Sequence, residues 1–126
     1  MILIIGGVYQ GKLAYALERC GLGEEGVYRC SEQSVALPQG KRIIYELDKW
    51  LLALLRASID PDREFNRFRA ANADAVVICN DISCGIVPME AELRSWRETV
   101  GRALISLSVS SEEVVRLFCG IPTRLK

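Results

Sequence analysis

The 126-residue chain contains no histidine, and this absence removes more chemistry than any other feature of its composition. An imidazole general base, an imidazole metal ligand and a phosphoryl or nucleotidyl intermediate on a histidine nitrogen are all excluded. Cysteine chemistry is thin as well. Cys20, Cys30, Cys79, Cys84 and Cys119 form no C-x-x-C pair, so neither a zinc ligand set nor a redox pair is indicated. Cys79, inside the apolar run Ala75–Cys79, reads as a small buried hydrophobe. An odd count without a framework fits a reducing compartment, and a cytoplasmic protein is expected. Neither sign of charge is in excess: 16 Lys and Arg balance 16 Asp and Glu. No global field therefore favours nucleic acid or an anionic membrane, and neither partner is expected. Long hydrophobic runs are missing too. Trp50 to Leu55 falls far short of the ~20 residues that span a bilayer, and the apolar start at Ile2 lacks the basic flank of a signal peptide.

What remains is the composition of an ordinary globular domain, 50% hydrophobic and 25% charged. A single domain over residues 1–126 is expected. Its first thirteen residues carry the strongest motif. Ile2-Leu3-Ile4-Ile5 reads as a short buried strand running into Gly6-Gly7-Val8-Tyr9-Gln10-Gly11-Lys12-Leu13. The spacing Gly6-x4-Gly11-Lys12 is that of a phosphate-binding loop, in which backbone N–H groups cradle phosphates and the lysine reaches the β- and γ-oxygens. The next position calls for Ser or Thr, whose hydroxyl ligates Mg²⁺. Here it is Leu13, which ligates nothing and reads as a packing residue of the first helix.

Strand-like and helix-like patterns alternate along the chain, which indicates an α/β fold with a mainly parallel sheet of five or six strands. A helix is expected over Lys12–Cys20, with Leu13, Ala16, Leu17 and Cys20 on one face and Gly21 as its stop. Val27–Cys30 is the second strand and Ser31–Lys41 a loop. Arg42–Glu46 is the third strand, followed by a helix from about Asp48 to Ser58. Glu46, Asp48 and Asp81 are candidates to hold Mg²⁺ or orient a nucleophile, and for Asp48 the preferred reading is the cap of this helix. Asp60 caps a helix that has Pro61 at its first position, acidic Asp62 and Glu64 in its first turn, and an end near Asn72. Ala75–Cys79 is the fourth strand. Pro88 opens a long helix to about Leu107, Glu113–Phe118 is the fifth strand, and the tail from Gly120 pairs at the sheet edge. Ligands in such sheets sit at the carboxyl ends of the strands. The loop after strand one, Glu46–Asp48 after strand three and Asn80–Val87 after strand four converge there.

The segment Asn80-Asp81-Ile82-Ser83-Cys84-Gly85-Ile86-Val87-Pro88 is similar to the N-E-V-G-x-G-I-V-P signature of the bifunctional adenosylcobinamide kinase/adenosylcobinamide-phosphate guanylyltransferases (the CobU type). Arg94-Ser95-Trp96-Arg97-Glu98-Thr99-Val100-Gly101-Arg102 resembles that family's R-x-F-R-D-x-x-G-R, and Cys119 to Lys126 its G-I-P-x-R-L-K ending. Trp50 to Leu55 is similar to its W-L-x-N-L-L helix, and Gly6 through Lys12 to its G-G-x-x-S-G-K-S loop. The resemblance implies a RecA-like P-loop domain of cobalamin assembly, cytoplasmic and oligomeric, with a trimer as the family's arrangement. It implies ATP or GTP with Mg²⁺ as cofactors, none of them covalent, and cobinamide as a partner.

The departures from the pattern are specific. Besides Leu13 in place of the metal-binding Ser, Gln10 replaces a loop Ser. Aligned on Trp50, the acidic residue of the family's V-D-C-L-T strand is Tyr45 here, with Glu46 one residue along. Asp81 stands where the family has Glu. The long excursion between strands two and three, which carries the guanylylated histidine, shrinks to roughly Ser31–Lys41. Guanylyltransferase activity is not expected.

Two readings stay open. In the first the chain is a kinase phosphorylating the aminopropanol hydroxyl of adenosylcobinamide: Lys12 and Asp81 are its catalytic residues, Gly6–Leu13 bind nucleotide, and Glu46 is a metal ligand. In the second it is a family member that has lost catalysis and binds a nucleotide, a corrinoid or a protein partner. Arg94 and Arg97, three apart on one helix face, suit phosphate or substrate contacts, or else form part of a solvated or subunit-facing stripe, with Glu98 and Arg102 as an i,i+4 pair. Trp50 and Trp96 read as core or interface anchors rather than corrinoid-stacking residues.

Overall fold

Leu3-Ile4, Ile43-Ile44, Val76 to Cys79 and Val114-Val115 bury consecutive residues, so the sheet they build must be covered on both faces. The computed structural model describes residues 1–82 and 89–126. It contains β1 (Ile2–Gly6), β2 (Val27–Arg29), β3 (Ile43–Tyr45), β4 (Val76–Asn80), β5 (Glu113–Phe118) and β6 (Ile121–Arg124), in the order β2-β3-β4-β1-β5-β6. All pairings are parallel except that of β5 with β6. The central strand pairs Ile4 with Ile78 on one side and with Val115 on the other.

The helices are α1 (Lys12–Cys20), α2 (Leu47–Arg56), α3 (Pro61–Ala71) and α4 (Ala91–Ser110). Strand alternation sorts the core into two layers. Ile4, Ile43, Ile78 and Val115 face α1 through Ala16, with Leu13, Leu17 and Cys20 packed alongside. Leu3, Ile44, Val77 and Val114 pack on the opposite face with Trp50 and Leu54 of α2, Phe68 of α3 and Leu107 of α4. Trp50 is 1% exposed, and its ring centroid lies 5.6 Å from that of Phe68. It is a core residue, and truncating a buried aromatic of this kind costs about 3–5 kcal/mol.

The expected α/β architecture is thus present. α1 has its anticipated bounds and ends on Gly21 in the left-handed region. The start of α3 is also as expected: Asp60 accepts from the Asp62 N–H at 3.0 Å, and Pro61 is the first helical residue. Other bounds shift by one to three residues. α4 runs from Ala91 to Ser110, and its expected opening at Pro88 lies outside the described residues. The expected edge pairing is realised as an antiparallel hairpin. Its two-residue loop is Cys119-Gly120, with φ of 50° and 75°, the signs a type I′ turn requires.

Two expectations are corrected. Asp48 does not cap α2. The helix enters through Glu46, which has φ 61° and makes no side-chain cap, and Asp48 lies inside the first turn. Arg102 reaches the Thr99 hydroxyl at 3.5 Å, and no Glu98–Arg102 ion pair forms among the described residues.

Among those residues Cys20, Cys30, Cys79 and Cys119 are free thiols, with Cys79 fully buried. No helix among them is long and apolar enough to cross a membrane.

Candidate functional site

The connection after β1 leads across one face toward β2, and the connection after β4 leads across the other toward β5. The chain thus leaves the two adjacent strands in opposite directions and opens a crevice at their carboxyl ends, the place where ligands bind in sheets of this kind. A cleft of about 410 Å³ lies there, lined by Val8 to Ala14, by Tyr45, Glu46, Asp48 and Lys49, and by Asn80, Ile82 and Trp96.

The loop from β1 to α1 has the build its glycines suggest. Gly6 has φ 149°, and a Cβ there would stand 2.5 Å from the Leu117 carbonyl oxygen. Only glycine lets the loop leave the sheet so close to β5. Gly11 occupies the left-handed region at φ 87° as the N-cap of α1, and the first turn of that helix has no acidic residue. The positive end of the helix dipole and its N–H groups are thereby available to an anion. Lys12 is the first helical residue and only 4% exposed. Its ammonium donates to the Gly7 carbonyl across the loop. Burial lowers its pKa, and the negative charges of Asp48 and Glu46 are among the groups that oppose the shift. Leu13 packs into the α1 core layer.

Opposite the loop stands an acidic side built by the entry to α2. The left-handed backbone at Glu46 ends the strand alternation at Tyr45, so Glu46 and Asp48 both line the cleft. Glu46 pairs with Lys49 at 2.7 Å. The Tyr45 ring carries the Arg29 guanidinium 5.3 Å from its centroid.

Asp48 is 2% exposed and accepts two hydrogen bonds from Asn80, from the backbone N–H at 3.0 Å and from the side-chain amide at 3.2 Å. Burial pushes its carboxyl up, and the Asn80 donors pull the other way. The Trp96 indole N–H donates to the Asp48 carbonyl at 2.7 Å, which docks α4 on the first turn of α2.

The structure brings together Val8, Tyr9, Gln10, Gly11, Lys12, Leu13 and Glu46 of the residues singled out in the sequence, with Gly6 and Gly7 supporting the loop from behind. Asp81 stands outside the cleft lining, between Asn80 and Ile82, which belong to it; its backbone N–H donates to the Gly6 carbonyl at 2.9 Å. Arg94 is exposed and donates to the Met89 carbonyl, and Arg97 is half-buried; neither lines the cleft. Residues 83–88 of the signature segment, including Cys84 and Gly85, lie outside the described residues.

Sequence reasoning brought the Glu46–Asp48 and Asn80–Val87 stretches to this end of the sheet, but it read Asp48 as a cap, gave Asn80 no role of its own and missed Trp96. Asn80 had a signal, because it opens the signature segment. The roles of Asp48 and Trp96 depend on contacts 32 and 48 residues away.

Residues 40–125 match the family described as cobinamide kinase / cobinamide phosphate guanyltransferase. The match takes in the acidic side of the cleft, β4 and α4, whereas the phosphate loop precedes it and stands on its own geometry. No curated protein matches the chain. With more than half of its length matched, the chain belongs to the cobinamide kinase / cobinamide phosphate guanyltransferase family, and so to cobalamin biosynthesis.

Proposed function

We propose that the chain binds ATP or GTP in the cleft and performs the kinase half of the family's chemistry, transferring a phosphoryl group to the aminopropanol hydroxyl of adenosylcobinamide. The observation that carries this reading is the placement of Lys12. It is a buried ammonium at the start of α1, in one cleft with two carboxylates and the donor-rich loop. A triphosphate suits such a cleft: loop amides cradle the β-phosphate, and Lys12 exchanges its bond to Gly7 for oxygens of the transferred group.

The residues also suit Mg²⁺. Leu13 offers no hydroxyl, yet Glu46 and Asp48 supply oxygen donors beside Lys12, and Mg²⁺ is commonly held by one or two carboxylates together with substrate phosphates. Neutralising charge on the transferred phosphoryl group is the chemistry that the ion supplies when bound. The guanylyl half is not assigned to this chain, which has neither a histidine nor a long segment between β2 and β3 to carry one.

Leu13 favours a second reading, in which the cleft binds a nucleotide or corrinoid without turnover. Removing one well-placed electrostatic stabiliser can cost ~10²–10³ in rate.

Calorimetric titration of ATP and GTP into wild type and Lys12→Ala, each with and without Mg²⁺, tests the nucleotide site. Micromolar binding lost in Lys12→Ala is expected, and a turnover assay with cobinamide then separates kinase from binder. Absence of binding by either nucleotide in the wild type would overturn both nucleotide readings.

A further inference from the structure

The family's third strand carries its carboxylate in the pattern V-D-C-L-T. Aligned on Trp50, the corresponding residues here are Tyr45 at the acid and Asp48 at the Thr. Tyr45 is occupied with Arg29, whose guanidinium lies 5.3 Å from its ring centroid. The acid has therefore moved three residues on, from the strand into the first turn of α2. The left-handed backbone at Glu46 makes the move productive, because it turns residues 46 and 48 toward the cleft that holds Lys12.

Of the two carboxylates, Asp48 is the one fixed in place. Glu46 is engaged by Lys49 at 2.7 Å, and the Lys49 side chain is 41% exposed. Asp48 is held by both N–H donors of Asn80, with its own carbonyl pinned by Trp96. A carboxylate offers about four acceptor sites. The two Asn80 bonds and the residue's own backbone N–H take three of these and leave one for a ligand. Burying an ionised carboxylate is costly, and a purely structural strut between β4 and α2 would be served as well by the family's neutral Thr.

We propose that Asp48, displaced by three residues from the family's strand carboxylate, is the positioning residue that anchors a divalent cation carried on the nucleotide's phosphates. The assignment rests on the nucleotide reading of the cleft.

The test is the Mg²⁺ dependence of ATP and GTP affinity, measured by calorimetry on the whole chain. The variants are wild type, Asp48→Asn, Asp48→Thr, and Asp48→Asn combined with Tyr45→Asp. Asp48→Thr keeps an oxygen for the Asn80 N–H and so guards against a folding defect. Both single variants are expected to lose the Mg²⁺ enhancement by about 10–100-fold, the scale for disturbing a metal's protein partners, with the fall confined to the metal-containing titrations. Tyr45→Asp should restore the enhancement by returning a carboxylate to the strand.

Equal losses with and without Mg²⁺ would mark Asp48 as a strut and overturn the proposal. So would a retained metal effect in both single variants. Wild-type binding that is indifferent to Mg²⁺ would overturn it while leaving the nucleotide site intact, whereas a wild type that binds neither nucleotide would remove the underlying reading and this proposal together.

Discussion

The backbone N–H of Cys119 donates to the side-chain carbonyl of Gln10, 109 residues away in sequence, and the Gly120 N–H donates to the Gln10 main-chain carbonyl at 3.1 Å. The phosphate loop therefore leans on the β5–β6 hairpin at the position where the family's loop has Ser. Gln10→Ala removes one of the two ties and should cost about 1 kcal/mol of stability. Lost preorganisation of the loop should also weaken nucleotide binding by about five-fold. Chemical denaturation and titration of the variant check both effects; unchanged stability together with unchanged affinity would show that the tie contributes nothing.

Gly6→Ala should be far more damaging. Its Cβ would meet the Leu117 carbonyl oxygen at 2.5 Å, and that atom belongs to the β5 backbone, which cannot rotate away. A left-handed backbone angle adds to the clash, and a loss of about 2–4 kcal/mol is expected in a urea midpoint measurement.

Lys12 links function to the pH dependence of stability. Burial holds its folded-state pKa below the unfolded value of 10.5. Between those two values the unfolded chain binds more protons than the folded one, so folding gains stability as pH rises through that window. Lys12→Met lacks this gain. The stability of Lys12→Met relative to wild type should therefore shrink as pH climbs from 7.5 toward 10.5, and unfolding curves at several alkaline values would reveal a constant difference if the lysine were not desolvated.

At the other end of α1, Arg19 grips Glu113 of β5 with both guanidinium nitrogens, at 2.8 and 2.5 Å. The Arg19 hydrogen bonds hold the Glu113 carboxyl below its usual 4.5. That stabilisation is complete above the unfolded value and is lost as pH falls through the lowered folded one. The pair is solvent-screened, so Glu113→Gln should cost less than about 1 kcal/mol at neutral pH. The gap to wild type should close as the pH falls through the lowered folded value, as followed by thermal melts.

Leu13→Ser restores the hydroxyl that phosphate loops place on Mg²⁺. It should raise phosphoryl transfer if Lys12 and the acidic side of the cleft are otherwise competent, and it removes a side chain packed in the α1 layer, at about 1–2 kcal/mol of stability. A stable, correctly folded Leu13→Ser with no gain in turnover would favour the binding reading.

The sequence yielded what local chemistry governs. The α1 span follows from its apolar spacing and Gly21, the start of α3 from Asp60 and Pro61, and the edge hairpin from the residues around Gly120. The phosphate loop was legible because its glycines answer to steric demands within thirteen residues. Asp48 was misread for a complementary reason. An acid just past a strand looks like a cap wherever it occurs, and only the Asn80 N–H groups, delivered by β4, reveal a buried role. The left-handed turn at Glu46 was equally hidden, since nothing in Tyr45-Glu46-Leu47 demands a positive φ. Trp96 reached the cleft through a long helix whose register could not be fixed locally.

The placement of β1 between β4 and β5 has a kinetic consequence. The strand that launches the phosphate loop has no local partner: Ile2 pairs with Val76 and Glu113. β2, β3 and β4 pair as sequence neighbours, so loop-closure entropy favours their association first and delays the arrival of β1. The loop is then shaped at the end of folding, between two strands already in position. Substitutions in β1, such as Ile4→Val, should accelerate unfolding and leave the folding rate nearly untouched. A slowed folding limb would instead place the phosphate loop at the beginning of the process.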